Sequence, residues 1–215
     1  MKFKRITVIA ALVSIVSLGS VLAYNYNNSS QEQEPVIKQN YYGKGKRMGF
    51  ENIAEMEDKS TLIVIGKKLD KEVPTILLDG VEQEDGYEGV LGGYTISDFQ
   101  VKKILKNTSG KEVEKNQVIP VLENAATDVI GDGKKKVTYT NDGYELMKKG
   151  KHYILFMDES GSGPGTFIPL SAIYGKAPLE AKKGDLEFNG EDKFVKKIIN
   201  EATKKYKKEV GTIKE

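Results

Sequence analysis

The 215-residue chain contains no cysteine, no tryptophan and a single histidine. Without cysteine there is no thiolate nucleophile, no thiolate-bound zinc and no dithiol exchange. Disulfides cannot brace the fold, so burial of apolar surface must stabilise it. Lipid attachment at a leader-processing site also needs a cysteine and is excluded. The lone histidine, His152, rules out HExxH and other multi-histidine zinc sites. A Ser–His pair would have to use it, yet it opens the apolar run HYILFM and reads as a strand-end residue. The absence of tryptophan, with only seven phenylalanines, disfavours the aromatic platforms of a sugar-cleaving cleft. Phosphate-binding loops are missing too, because GVLGG at 89–93 leads into a strand and not into a helix N-terminus. Charge of one sign is also lacking. The net charge is +2, and removing the three cations of residues 1–23 leaves about −1 for the rest. Such a balance carries no electrostatic footprint for nucleic acid.

What the chain does have is a leader. Lys2, Lys4 and Arg5 precede an uncharged run over residues 6–23. A positive end followed by an apolar helix is the order that secretion requires. The small residue at Ala23, with Val21 two before it, predicts cleavage before Tyr24. The alternative is a retained anchor, since eighteen residues at about 1.5 Å each give about 27 Å, just enough to span. Either way the rest of the chain is expected outside the cytosol, secreted or tethered to the membrane through residues 6–23. A cysteine-free exported protein points to a bacterium, Gram-positive before Gram-negative.

Composition divides the remainder into three parts. Residues 24–48 are rich in Asn, Gln, Ser and Gly without apolar period and read as a flexible tether. GKGKR at 43–47 within it reads as a spacer, or as a weak contact to anionic lipid or wall polymer. Residues 49–175 read as a β-rich domain. It opens on a short helix carrying Phe50, Ile53, Ala54 and Glu57. A strand at 61–67 follows, whose run LIVI is buried on both faces and ends at Gly66, where a sharp bend is allowed. In YTISDFQVKKIL at 94–105, apolar residues sit at 94 and 96, then 99 and 101, then 104. Side chains alternate faces along a strand, so these parity changes predict β-bulges near Asp98 and near Lys102–Lys103. Strands are also expected at 116–122, where Pro120 argues for an edge or a bulge, and at 136–140, 152–157 and 166–173. With no βαβ alternation, the expected fold is mainly β, a small antiparallel OB-like barrel with a short N-terminal helix. Residues 176–215 add a C-terminal amphipathic helix, with Asn189 as N-cap, a stripe of Val195, Ile198, Ile199, Ala202 and Tyr206, and Gly211 as its stop.

The segments Thr61–Gly66, Tyr94–Lys106, Gln117–Leu122 and Leu146–Phe156, spread over roughly half of the chain, resemble exported bacterial proteins with a netrin/TIMP-type OB-like barrel. The resemblance implies that fold. In metalloprotease inhibitors of the fold an N-terminal cysteine ligates the target's zinc. This chain has none, so the resemblance implies neither that mechanism nor any functional residue.

Five acids fall within DGVEQEDGYE at 79–88. Carboxylates at that density offer oxygen ligands to a hard cation, although the spacing is not that of an EF-hand loop. The simpler and preferred reading is a solvated connection between two strands. The candidate binding residues are Asp79, Glu82, Glu84, Asp85 and Tyr87. ESGSG at 159–163 lacks the first glycine of G-x-S-x-G and reads as a turn. No catalytic residue, metal site or cofactor is expected. The chain reads as an exported binding domain for a protein or a cell-wall ligand. The alternatives are an envelope hydrolase using Ser/Lys or paired carboxylates, and a secreted protease inhibitor.

Overall fold

The computed structural model describes residues 36–41, 49–82, 88–130, 135–161, 163, 165–180 and 186–213. The segment read as a leader and most of the one read as a spacer lie outside them. Among the described residues no helix is long and apolar enough to cross a membrane.

The protein is mainly β, with one large sheet, one small sheet and a few helices. The strands are β1 (Val36–Tyr41), β2 (Leu62–Glu82), β3 (Glu88–Asn107), β4 (Val118–Glu123), β5 (Ala125–Ile130), β6 (Lys135–Asn141), β7 (His152–Glu159), β8 (Phe167–Pro169) and β9 (Lys176–Pro178). Helix α1 (Ile53–Lys59) precedes β2, and α2 (Lys193–Tyr206) and α3 (Glu209–Ile213) follow β9. The large sheet runs β2-β3-β4-β8-β7-β9, and β2 pairs with β7 as well. Its β4–β8 junction is parallel and rests on one pair, Val121 opposite Phe167. The small sheet is β1-β6-β5. Val36–Tyr41, inside the segment read as a spacer, runs parallel to β6 along its full length.

Two cores explain the sequence runs without polar alternation. Leu62 and Val64 of β2 join Tyr153, Leu155 and Met157 of β7, with Phe99, Val101, Ile119 and Val121, in one cluster. Ile63, Ile65, Ile154 and Phe156 alternate to the opposite face and meet α1 and α2. A strand covered on both faces needs no polar positions. The second cluster takes in Ala177, Leu179, Val195, Ile198, Ile199 and Ala202, so residues beyond 175 complete this core.

β3 carries an extra residue at Lys102, between the pairs Ile65–Lys103 and Gly66–Val101. A second falls at Leu105, between Val64–Ile104 and Ile63–Lys106. The bulge expected near Lys102–Lys103 is therefore present. The one expected near Asp98 is not on β3: its register with β4 is unbroken from Thr95 to Gln100. The parity change has another cause. Thr95 and Ser97 point inward and are buried, on the same face as Phe99 and Val101. The irregularity at this level belongs to β2, which places residues 69–71 opposite Asp98 alone. Lys68 closes that loop of backbone, its Nζ donating to the carbonyls of Leu69 (3.0 Å) and Lys71 (3.4 Å). Gly66 sits where β3 crosses closely. A Cβ there would collide with the Gln100 carbonyl and the Phe99 ring.

Pro120 pairs with Asp98, and the next residue, Val121, is the only one of β4 opposite β8. The missing N–H thus falls where β4 is almost an edge. Of the segment 166–173, only Phe167–Pro169 is strand, and a 3-10 turn over Leu170–Ala172 follows.

α1 starts at Asn52, whose Oδ1 accepts from Glu55 N–H (3.0 Å). It ends at Ser60, which donates N–H and Oγ–H to the Met56 carbonyl. α2 is capped by Asp192, not by Asn189. Asp192 Oδ1 accepts from the N–H groups of Phe194 (2.8 Å) and Val195 (3.2 Å). A carboxylate at this position also meets the positive end of the helix dipole. The apolar stripe is as expected, with Val195, Ile198, Ile199 and Ala202 buried. Gly211 does not end the helix: α2 stops at Lys207, and Gly211 lies inside α3. Lys205 (2.6 Å) and Tyr206 (2.5 Å) tie α2 to Glu57 of α1.

Candidate functional site

Of the acidic-loop residues, Asp79 is exposed and accepts from Gly89 N–H (3.0 Å) across the β2–β3 hairpin. Glu82 ends β2 opposite Glu88. Its side chain, and Glu84, Asp85 and Tyr87, lie outside the described residues. No group of three metal-ligating acids, histidines or cysteines occurs among the described residues. His152 opens β7 as expected, and its Nδ1 lies 3.0 Å from Glu180 Oε2, which also accepts the His152 N–H. The serine-rich turn is closed by backbone bonds between Ser160 and Thr166 and between Thr166 and Gly163.

The chemistry concentrates elsewhere, in a buried network between β3, β4, β7 and the segments 143–148 and 186–190. Glu123, at the end of β4, is fully buried. Its Oε1 accepts from Ser97 Oγ (2.5 Å), and its Oε2 accepts from Tyr144 OH (3.0 Å) and Met147 N–H (2.6 Å). Tyr153 OH donates to Glu187 Oε2 (2.8 Å) and accepts from Lys148 N–H (2.6 Å). Lys176 of β9 is 1% exposed. Its ammonium donates to the carbonyls of Glu145 and Glu187, approaches Glu187 Oε2 (3.8 Å) and stands 4.3 Å from the centre of the Tyr144 ring.

Burial is the main cause of each titration shift here. It pushes the Tyr144 phenol well above its ordinary value, and Glu123 adds to the effect. Tyr153 is raised in the same way, with Glu187 as the second cause. Lys176 is lowered by desolvation, against which Glu187, Glu123 and Glu145 act.

A backbone crossing positions the network. Asn189 N–H donates to the Gly143 carbonyl (2.7 Å), and Tyr144 bridges to Phe188. Gly143 has φ +83°, and a Cβ on it would strike the backbone of Gly190. The crossing turns Glu187 inward at φ +50°, a left-handed conformation costing about 1–3 kcal/mol for a non-glycine residue. Its bonds to Tyr153 and Lys176 offset that strain. Beside the network lies a pocket of about 160 Å³, lined by Thr138, Thr140, Tyr144, Glu145, Leu146 and Asn189.

Sequence reasoning missed this network because buried Glu, Lys and Tyr look like surface residues in a hydropathy pattern. The turn pairs Asp142-Gly143 and Asn189-Gly190 were the available signal.

A second feature is the outer half of the β2–β3 hairpin. Beyond Lys68, whose backbone still bonds Gly150 and Lys151, β2 pairs only with β3 among the described residues. Here Val73, Leu77, Leu78 and Leu91 are 45–63% exposed. The chain matches no family model, no curated protein and no solved structure.

Proposed function

We propose that the chain is an exported, non-catalytic binding domain of the cell envelope, built on an OB-like barrel. The strand pairings support this barrel: β2-β3-β4-β8-β7 return to β2, and β4–β8 is the parallel pair of such a ring. The leader over residues 1–23 directs the domain out of the cytosol, and intact-mass analysis of the medium and membrane fractions tests it. A chain starting at Tyr24 in the medium is expected, and Met1 retained in the membrane pellet reverses that.

The observation that carries the binding role is the β2–β3 arm. It extends past the ring with large apolar side chains open to solvent and one backbone edge unpaired among the described residues. Such an edge accepts an extended segment of a partner protein by strand addition, and the flanking leucines supply the apolar contact. The interior polar groups favour binding over catalysis, since Glu123 is engaged by Tyr144, Tyr153 by Glu187 and Lys176 by the Glu145 carbonyl.

The test is retention of envelope proteins on the immobilised chain and on its Leu77→Glu/Leu91→Glu variant. A defined partner held by the first and released by the second, at equal melting temperature, is expected. Equal retention removes the arm as the binding surface. Turnover of ester, amide or glycoside substrates by both proteins would replace the binding role with a hydrolase.

A further inference from the structure

β3 presents Lys102, Lys103 and Ile104 in succession, and all three line one groove. On a regular strand, neighbouring side chains face opposite sides. The extra residue at Lys102 removes that alternation and gathers them. Lys115 and Asn116 of the β3–β4 turn form the second side, and Thr212 and Ile213 at the end of α3 form the third. The groove encloses about 440 Å³, within the range of sites for small organic ligands.

Its charges do not cancel. Lys103 is answered by Glu209, Nζ to Oε2 at 2.6 Å. Among the described residues, Lys102 donates only to a neutral acceptor, Asn116 Oδ1 (3.3 Å). Lys115 has no hydrogen-bond or ion-pair partner among the described residues. Among the described residues, two lysines thus face one groove without a counterion. Asn116 is held there at φ +69°, its N–H donating to the Val101 carbonyl (2.7 Å). That bond places the turn lysine beside the strand lysines. Ile104 and Ile213 supply an apolar wall, and Thr212 and Asn116 supply hydroxyl and amide groups.

We propose that this groove binds a phosphorylated polyol of glycerol phosphate size. The phosphate sits between Lys102 and Lys115, the carbon chain lies against Ile104 and Ile213, and the hydroxyls meet Asn116 and Thr212. Lysine suits a phosphate that is recognised as a point charge. The volume exceeds what an inorganic anion fills, and the isoleucines reward a carbon skeleton. The proposal is separate from the β2–β3 arm, and the variant at Leu77 and Leu91 is expected to leave it intact.

The experiment is a titration of the full chain, followed by amide NMR shifts, with glycerol 3-phosphate, inorganic phosphate and glycerol. Saturable shifts confined to 102–104, 115–116 and 212–213 are expected, with glycerol 3-phosphate tighter than phosphate and glycerol silent. Lys102→Ala/Lys115→Ala is expected to weaken binding at least about tenfold. Lys115→Gln alone, an exposed turn substitution, is expected to weaken it severalfold should the double variant misfold. A second arm separates two sources of the same chemistry. Greater co-sedimentation of the wild type than of the double variant with phosphatidylglycerol vesicles assigns a lipid headgroup. Soluble binding with no such difference assigns a free phosphate ester. No saturable binding of either phosphate probe, equal binding by Lys115→Gln, or an equal response to glycerol overturns the proposal.

Discussion

Glu123 accepts three hydrogen bonds in a place closed to water. Removing it strands the hydroxyls of Ser97 and Tyr144 and the N–H of Met147. Glu123→Ala is therefore expected to cost about 3–5 kcal/mol, and Glu123→Gln about 1–3 kcal/mol, because the amide keeps one acceptor. Urea midpoints at unchanged slope measure both. The buried phenols add a pH dependence whose sign is fixed. Tyr144 and Tyr153 are raised in the folded protein, so above about pH 10 the unfolded chain releases protons that the folded one holds. The stability they contribute is present below that pH and lost as pH rises further. Lys176 acts oppositely, since its folded value is lowered and stability climbs from there to its ordinary value of 10.5. Denaturant titrations are expected to show a falling limb above about pH 10 that steepens with alkalinity. Complete tyrosinate absorbance with intact near-ultraviolet dichroism would contradict it. None of these roles was readable in the sequence. Hydropathy assigns Glu, Lys and Tyr to the surface, and the 97–123 and 145–176 contacts are made only by the fold.

At the level of strands and helices the sequence said more, and its errors share one physical origin. The rule that apolar side chains face inward found the apolar cores of β2 and β7, the stripe of α2 and the bulge at Lys102. The same rule misplaced a bulge at Asp98, because Thr95 and Ser97 face inward to bond the Ala125 carbonyl and Glu123. It ended β2 at Lys67, because charges and Pro74 dilute an arm packed on only one side. It also chose Asn189 over Asp192, although either residue type caps a helix. Gly66 reads in the sequence as a place where the strand can bend sharply, and the structure adds a close crossing of β3 there. Gly66→Ala is expected to cost at least about 2 kcal/mol, since the methyl meets backbone and an enclosed ring that cannot yield. A thermal midpoint within error of the parent's would show that β2 and β3 do not approach so closely.

The molecule as a whole joins what the sequence divided. A boundary at 175 follows from composition, yet β9 pairs with β7 from Tyr153 to Leu155, and Thr203 of α2 donates to the Pro178 carbonyl (3.0 Å). Ile198 and Ile199 share one core with Ile63, Ile154 and Phe156. A helix so placed does not unfold alone, because leaving would expose the outer face of the two central strands. Ile198→Ala is thus expected to destabilise the β-sheet by about 2–5 kcal/mol, the range for deleting a fully buried aliphatic side chain. The loss appears as a shift of one transition, with dichroism and tyrosine fluorescence still coincident and the denaturant slope unchanged. Hydrogen exchange places the same amount on amides of β2 and β7 as on those of α2. Were α2 an independent appendage, its amides would lose protection while those of β7 kept theirs, and a separate low-stability transition would emerge.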